Sequence, residues 1–175
     1  MKSLSQHITE KLVLNNNTKV RKYNYHPKTN DELQDLVSKL IEERGIEADL
    51  NDIDTSEITD MSYVFYKSKF NGDISEWNVS NVTDMMQMFY HSKFNGDLSN
   101  WDVSKVKKMS HMFEYSEFNG DISGWDVSNV ETMSCMFFGS KFNKNISNWN
   151  IDKLCSVIDT FRDCPIKEEY KPKFK

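Results

Sequence analysis

The sequence predicts an α/β solenoid, a right-handed coil of about five strand-turn-helix repeats of 24 residues with a small N-terminal cap. Two observations lead to this class. Tryptophan occurs four times in the 175 residues, always 24 positions from the last. Residues 70–93 and 94–117 are identical at 13 of 24 aligned positions, because phenylalanine, methionine, asparagine and serine return at the same interval. The tryptophans are Trp77, Trp101, Trp125 and Trp149.

Each repeat opens with a turn, a strand follows, and a helix closes it. Phe-Asn-Gly-Asp at 70–73 predicts the turn, since glycine accepts positive φ and the Asn and Asp side chains bond to nearby backbone. Apolar and polar residues then alternate from Trp77 to Ser80, which indicates a short strand. Apolar residues at helical spacing come next and predict a short helix. This face comprises Val82, Met85, Met88 and Phe89.

Residues 1–48 do not follow the repeat and predict a capping segment of helix, strand and helix. A short helix is expected within residues 3–12 and a strand at 19–25. Thr29 and Glu32 have the spacing of a capping box for the second helix, and Gly45 is a natural stop. The chain thus divides into a cap (1–48), the repeats (49–164) and a polar C-terminal tail (165–175). An independent recognition module is the alternative interpretation of residues 1–48.

The repeat motif carries a family resemblance. Trp-Asp-Val-Ser-x-Val stands at 101–106 and 125–130, and Met-Ser-x-Met-Phe follows at 109–113 and 133–137. This pattern resembles the BspA-like leucine-rich-repeat family, the mycoplasma lipoprotein-type repeats of bacterial surface proteins, over residues 49–164. The resemblance implies a leucine-rich-repeat scaffold and a role at the cell surface.

Two polar rows of the repeat have structural interpretations. A row of asparagines is expected to bond to backbone groups in the turns, which would otherwise stay unpaired when buried. Its members are Asn71, Asn95, Asn119 and Asn143. A row of aspartates is expected to cap the same turns, with a Ca²⁺ site as the disfavoured alternative because Asn145 interrupts it. Its members are Asp73, Asp97 and Asp121.

One row has the residue types of an active site. His111, Cys135 and Asp159 stand at one position of successive repeats, and a Cys–His pair can be a nucleophile with its base or part of a metal site. Neighbouring helices would lie about 8–10 Å apart, too far for a direct hydrogen bond. Cysteine also stands in the middle of the row, where a triad needs histidine. We therefore predict no catalytic residue, no metal site, no cofactor and no enzymatic activity.

Residues that differ between the repeats are not required for packing in the core. They are therefore the candidate binding residues. The first group lies on the predicted helices and is rich in aromatic residues, which are favoured at interfaces, although packing between neighbouring helices is the simpler interpretation. It comprises Tyr66, Tyr90, His91, Tyr115 and Phe138. The second group is acidic and lies on the predicted strand face. It comprises Glu76, Asp102, Asp126 and Asp152.

Charge and composition narrow the class of partner. The chain has a net charge of −5, and residues 49–154 alone carry 9 basic and 16 acidic residues, a net of −7. This acidity disfavours direct binding to nucleic acid. An apolar run long enough for a membrane helix and a secretory signal are both lacking in the sequence, and the three cysteines are too few for a disulfide framework. These features predict a cytoplasmic protein with reduced thiols and no membrane contact.

The sequence therefore predicts a non-enzymatic module that binds another protein through exposed faces of the repeats. One alternative is an inhibitor from a phage or mobile element that blocks a nucleic-acid enzyme, for example a CRISPR-type nuclease, with its acidic surface. The other is a cell-surface adhesin, as the resemblance implies. The oligomeric state stays open.

Overall fold

The computed structural model describes residues 23–152 and 154–173, which form a stack of 24-residue repeats behind one N-terminal helix. That helix, α1, spans Asn30–Arg44, and a short 3-10 helix spans Glu168–Tyr170. The described residues contain no β-strand, only isolated parallel bridges, one of which joins Tyr25 to Ile53 while the others join neighbouring repeats. The predicted helix at 3–12 and most of the predicted strand at 19–25 lie outside the described residues.

The predicted α/β solenoid of leucine-rich-repeat type is wrong, because the described part of every repeat contains neither a strand nor a helix. The bridges that link the repeats are single pairs, such as Asp84 with Lys108 and Lys108 with Thr132. The rest of each repeat is a succession of turns. In this protein, the apolar residues at helical spacing therefore lie in turns and not in a helix.

One side of the stack, which we call the wall, is held by a regular hydrogen-bond pattern. It comprises residues 61–67, 85–91, 109–115, 133–139 and 157–163. At every second residue of the first four wall copies, the backbone N–H donates to a carbonyl of the next repeat, 23 residues further on. Met109 donates to Thr132 at 2.8 Å, and Phe113 donates to Met136 at 2.9 Å. Sixteen such bonds of 2.7–3.1 Å join the five copies, so the repeats are bonded to each other rather than within a helix.

The backbone dihedral angles explain why no helix forms in the wall. Two positions in each repeat, four residues apart, have positive φ, as at His111 (59°) and Tyr115 (52°). A right-handed helix cannot continue through such a residue. A non-glycine residue in this conformation costs about 1–2 kcal/mol. Each of these N–H groups up to Gly139 bonds to the next repeat, which offsets that cost.

Aromatic rings fill the core in continuous columns. Phe89 and Phe113 stack at 5.4 Å between ring centroids with an interplanar angle of 2°, and Phe113 and Phe137 stack at 5.6 Å. A second column, Phe94 with Phe118, has a spacing of 6.5 Å. The four tryptophans are at most 4% exposed, and each indole N–H reaches back to a carbonyl of the preceding repeat. The core placement of these rows is confirmed.

The predicted asparagine ladder is also confirmed. The side-chain oxygen of Asn71 accepts from the backbone N–H of Asn95 at 2.8 Å, and Asn95 does the same for Asn119 at 2.7 Å. The aspartate row caps turns, since Asp73 accepts from the N–H of Ser75 at 2.9 Å. Both rows therefore bond to backbone in and between neighbouring turns.

Helix α1 covers the first repeat, and its predicted bounds are confirmed. The Thr29 hydroxyl accepts from the Glu32 N–H, and the N–H of Gly45 (φ 93°) donates to the Ile41 carbonyl. The apolar face is buried in the common core through Leu33, Val37 and Leu40. On the wall side, the amides of Asn30 and Gln34 each donate to the carbonyl of Ser62 at 3.1 Å. In later repeats, the equivalent carbonyl accepts from a backbone N–H of the preceding repeat. At the first repeat, these two side-chain amides take the place of that donor.

The residues after Pro165 pack more closely than a polar tail suggests. Ile166 is 6% exposed and stands 24 positions after Phe142, and the Tyr170 carbonyl accepts from the N–H of Ile146 at 3.0 Å. This segment therefore continues the repeat register beside residues 142–146. The boundaries 1–48, 49–164 and 165–175 stay predictions.

Candidate functional site

A chain of aromatic contacts crosses the wall, and we call it the aromatic stripe. It comprises Tyr63, Tyr66, Tyr90, His91, Tyr115 and Phe138. The rings of Tyr66 and Tyr90 stack at 5.0 Å, and Tyr115 meets Phe138 edge-on at 5.2 Å. The structure thus brings together all five aromatic residues that the sequence singled out as candidate binding residues.

The stripe is continuous because two columns of the repeat share it. One column contains Tyr66, Tyr90 and Phe138, but Glu114 interrupts it. Tyr115, from the neighbouring column, spans the gap with an edge-on contact to Tyr90 at 6.5 Å and its contact to Phe138. A Cβ added at Gly139 would lie 2.6 Å from two ring atoms of Tyr115, so the glycine makes room for that ring. The packing interpretation is therefore correct in part, since the rings contact one another.

The rings nevertheless stay accessible. Tyr63, Tyr66 and Tyr115 are 41%, 38% and 43% exposed, which makes them three of the six exposed large hydrophobic side chains among the described residues. Tyr90 is half-buried. Burial raises the pKa of its hydroxyl most, and the negative charge of Glu114 raises this pKa further. A row of rings that hold each other in place loses little conformational entropy when a partner covers it.

Cations lie at both ends of the stripe. The Lys67 ammonium is 5.1 Å from the Tyr66 ring centroid, and the Arg162 guanidinium is 5.6 Å from that of Phe138. The candidate binding residues predicted from the sequence did not include Tyr63, Lys67 or Arg162. Their positions in the 24-residue alignment were a usable signal, because all three share a column with residues already singled out.

The acidic group lies on exposed turns. Glu76, Asp102, Asp126 and Asp152 are all exposed. The Asp102 carboxylate accepts from the hydroxyl of Ser104 at 2.6 Å and from its N–H at 3.1 Å, and these bonds lower the pKa of Asp102. Bonds from Ser128 likewise lower the pKa of Asp126. The turn bonds thus favour the charged form of Asp102 and Asp126, and each of these two carboxylates caps its own turn.

The row of His111, Cys135 and Asp159 does not form a nucleophile pair. His111 Nδ1 contacts the Glu114 carboxylate instead of the Cys135 thiol. Burial, with the charges of Glu114 and Asp159, raises the pKa of Cys135, whereas a reactive cysteine needs a lowered pKa. Among the described residues, no group of three or more His, Cys, Asp or Glu side chains could hold a metal ion.

The Cys135 thiol is expected to react with iodoacetamide more slowly than the thiol of an unstructured peptide. A raised pKa leaves a smaller thiolate fraction at any pH below it, and the thiolate is the reacting species. Labelling followed by mass spectrometry measures the rate, and His111→Ala should leave it unchanged. Labelling faster than the peptide, or slowed by His111→Ala, would point to an activated cysteine.

Comparison with known proteins yields one family. A family model described as "Mycoplasma protein of unknown function, DUF285" matches residues 32–137 and 92–168. Together the two matches cover more than half of the chain. No curated protein and no solved structure matches the chain. Within residues 23–152 and 154–173, no helix is long and apolar enough to cross a membrane.

Proposed function

The chain belongs to the DUF285 family, and we propose that it is a non-enzymatic module that binds another protein through the aromatic stripe. The observation that carries this proposal is the unbroken row of six partly accessible rings. Tyrosine and phenylalanine supply large contact areas at protein interfaces, and aromatic anchors often carry most of the binding energy. The cations beside Tyr66 and Phe138 would form a polar rim.

The experiment compares three forms of the full chain as bait in extracts of the native host. The stripe variant carries Tyr66→Ser with Tyr115→Ser, and the control carries Asp102→Asn with Asp126→Asn. Partners bound by the wild type and the control should be lost from the stripe variant, and purified partners should bind that variant at least about 30-fold more weakly, which corresponds to about 2 kcal/mol for a contact hot spot. Equal binding of all three forms would refute the proposal.

A second candidate function is inhibition of a nucleic-acid enzyme by the acidic group. The exposed, ionised carboxylates of Asp102 and Asp126 favour it, because negative charges repeated along a rigid stack can occupy a basic groove. In that case Asp102→Lys with Asp126→Lys abolishes binding, and affinity falls steeply with salt. Binding that is insensitive to salt contradicts this function.

The finer relationship to BspA-like surface repeat proteins belongs to the same proposal. The DUF285 match and the Trp-Asp-Val-Ser-x-Val motif at 101–106 and 125–130 support it. An adhesin would use the same stripe on a cell surface. Fractionation of the native cells distinguishes this location from the cytoplasmic one that the sequence predicts.

A further inference from the structure

The wall ends in a row of unused hydrogen-bond donors. The backbone N–H groups of the last copy have no acceptor among the described residues. They belong to Val157, Asp159, Phe161 and Asp163. In the preceding copy, the four equivalent N–H groups all donate to this last repeat at 2.9–3.0 Å. The open edge thus displays the donor half of an interaction that the molecule itself makes sixteen times.

The chain does not close this edge within residues 164–173. Pro165 comes soon after the last wall copy, and the next residues leave the wall, since Tyr170 accepts from Ile146, which is not a wall residue. The last repeat is therefore covered on one side and open on the other. Unpaired backbone groups in a row are a template for pairing with another chain.

Apolar side chains stand out in the same repeat. Leu154 is 84% exposed and Ile158 is 69% exposed, more than any other large hydrophobic side chain among the described residues. The backbone N–H of Cys155 donates to the carbonyl three residues before it, as that of Val130 does, so the 7% exposed Cys155 takes the buried position and Leu154 projects outwards. Phe161 stacks on Phe137 at 5.7 Å and has no following phenylalanine in its column. The edge is thus apolar as well as rich in donors.

A second copy of the chain does not fit this edge. Two open edges facing each other would oppose N–H to N–H. A head-to-tail copy would have to offer the carbonyls of its first repeat, but α1 covers that end and its Asn30 and Gln34 amides already bond to Ser62. These observations favour a segment of another protein with free carbonyls as the occupant.

We propose that the open edge binds a segment of a partner protein that adds to the wall as a further rung, in parallel register. Its carbonyls at alternate positions accept from Val157, Asp159, Phe161 and Asp163, and its apolar side chains cover Leu154 and Ile158. Arg162 lies 3.7 Å from Asp159 and 3.8 Å from Asp163, so the charges of the edge are largely paired. Main-chain bonds and apolar contact then select the segment, as in other cases of strand addition. This surface adjoins the aromatic stripe at Arg162 but uses different residues, the backbone N–H groups of the last copy with Leu154 and Ile158.

Amide hydrogen exchange followed by ¹⁵N NMR tests the proposal on the full chain. The probe is a synthetic peptide of residues 105–117, whose carbonyls make the equivalent bonds inside the stack. In the free protein, the four edge amides should exchange at least about 100-fold faster than those of Met133, Cys135, Phe137 and Gly139. The peptide should slow them, and a scrambled peptide should not.

Variants at the edge provide the control. Leu154→Asp with Ile158→Asp should weaken peptide binding at least about 10-fold, whereas Ile46→Asp, at an exposed apolar residue near the other end of the stack, should not. Edge amides that are slow in the free protein, or unchanged at about 1 mM peptide, would overturn the proposal. So would self-association in sedimentation that the edge variant removes.

Discussion

Gly72→Ala is expected to lower the free energy of unfolding by about 3 kcal/mol or more, because the added methyl group has no space. A Cβ at Gly72 would lie 2.0 Å from the carbonyl oxygen of Ala48 and 2.8 Å from the Ala48 nitrogen. Both atoms are backbone, so they cannot rotate away. The same Ala48 oxygen accepts from the N–H of Asp73 at 3.0 Å, and a shift that relieves the clash breaks this bond. Urea denaturation monitored by tryptophan fluorescence measures the change.

Two other glycines of the repeats serve as controls. A Cβ at Gly124 meets no heavy atom within 4 Å, so Gly124→Ala should be neutral or stabilise by up to about 1 kcal/mol. At Gly96 the nearest atom belongs to the Phe94 ring, at 2.7 Å, and a ring can adjust where backbone cannot. Gly96→Ala should therefore fall between the two. Equal losses at Gly72 and Gly124 would show that the turn tolerates a side chain.

Phe113→Ala is expected to cost about 3–5 kcal/mol, since it removes a fully buried ring from the middle of a column. Phe113 stacks on Phe89 at 5.4 Å, on Phe137 at 5.6 Å and on Phe118 at 4.3 Å. The cavity would lie between repeats that hold each other only through neighbour contacts. Chemical denaturation measures the loss.

The matched control is the last ring of the same column. Phe161 is only partly buried and has a ring of its column on one side alone, Phe137 at 5.7 Å. Phe161→Ala should cost less than half as much as Phe113→Ala. A cost as large as that of Phe113→Ala would mean that the end of the stack is as tightly coupled as its centre.

The apolar pattern predicted the buried positions but not the backbone. Met85, Met88 and Phe89 are buried as the pattern predicts, yet the helix between them is absent. Apolar residues at i, i+3 and i+4 suit a helix, and they suit equally a row of turns with positive φ at every fourth residue. Tyrosine and glutamine have no preference for positive φ, so the residue types at Tyr63 and Gln87 did not indicate this backbone conformation.

The residues of the candidate site could be predicted from the sequence, but the contacts that join them into one stripe could not. Repeat alignment identified Tyr66, Tyr90 and Phe138 as one column and placed Tyr115 in another. Only the folded wall brings Tyr115 across the gap at Glu114, because contact between the columns depends on side-chain packing. The open edge could not be predicted from the sequence at all, since a backbone N–H group is recognised as unpaired only when the hydrogen bonds of the folded chain are known.

The sequence by itself determined the period, the phase and the buried columns, because a 24-residue identity pattern leaves one alignment of the copies. It also determined α1, whose cap, apolar face and stop are local signals between Thr29 and Gly45. The tertiary structure decided how the backbone runs within each repeat. In the first four wall copies, every second N–H group finds its acceptor 23 residues away, and bonds at that distance replace the helix that local spacing favours.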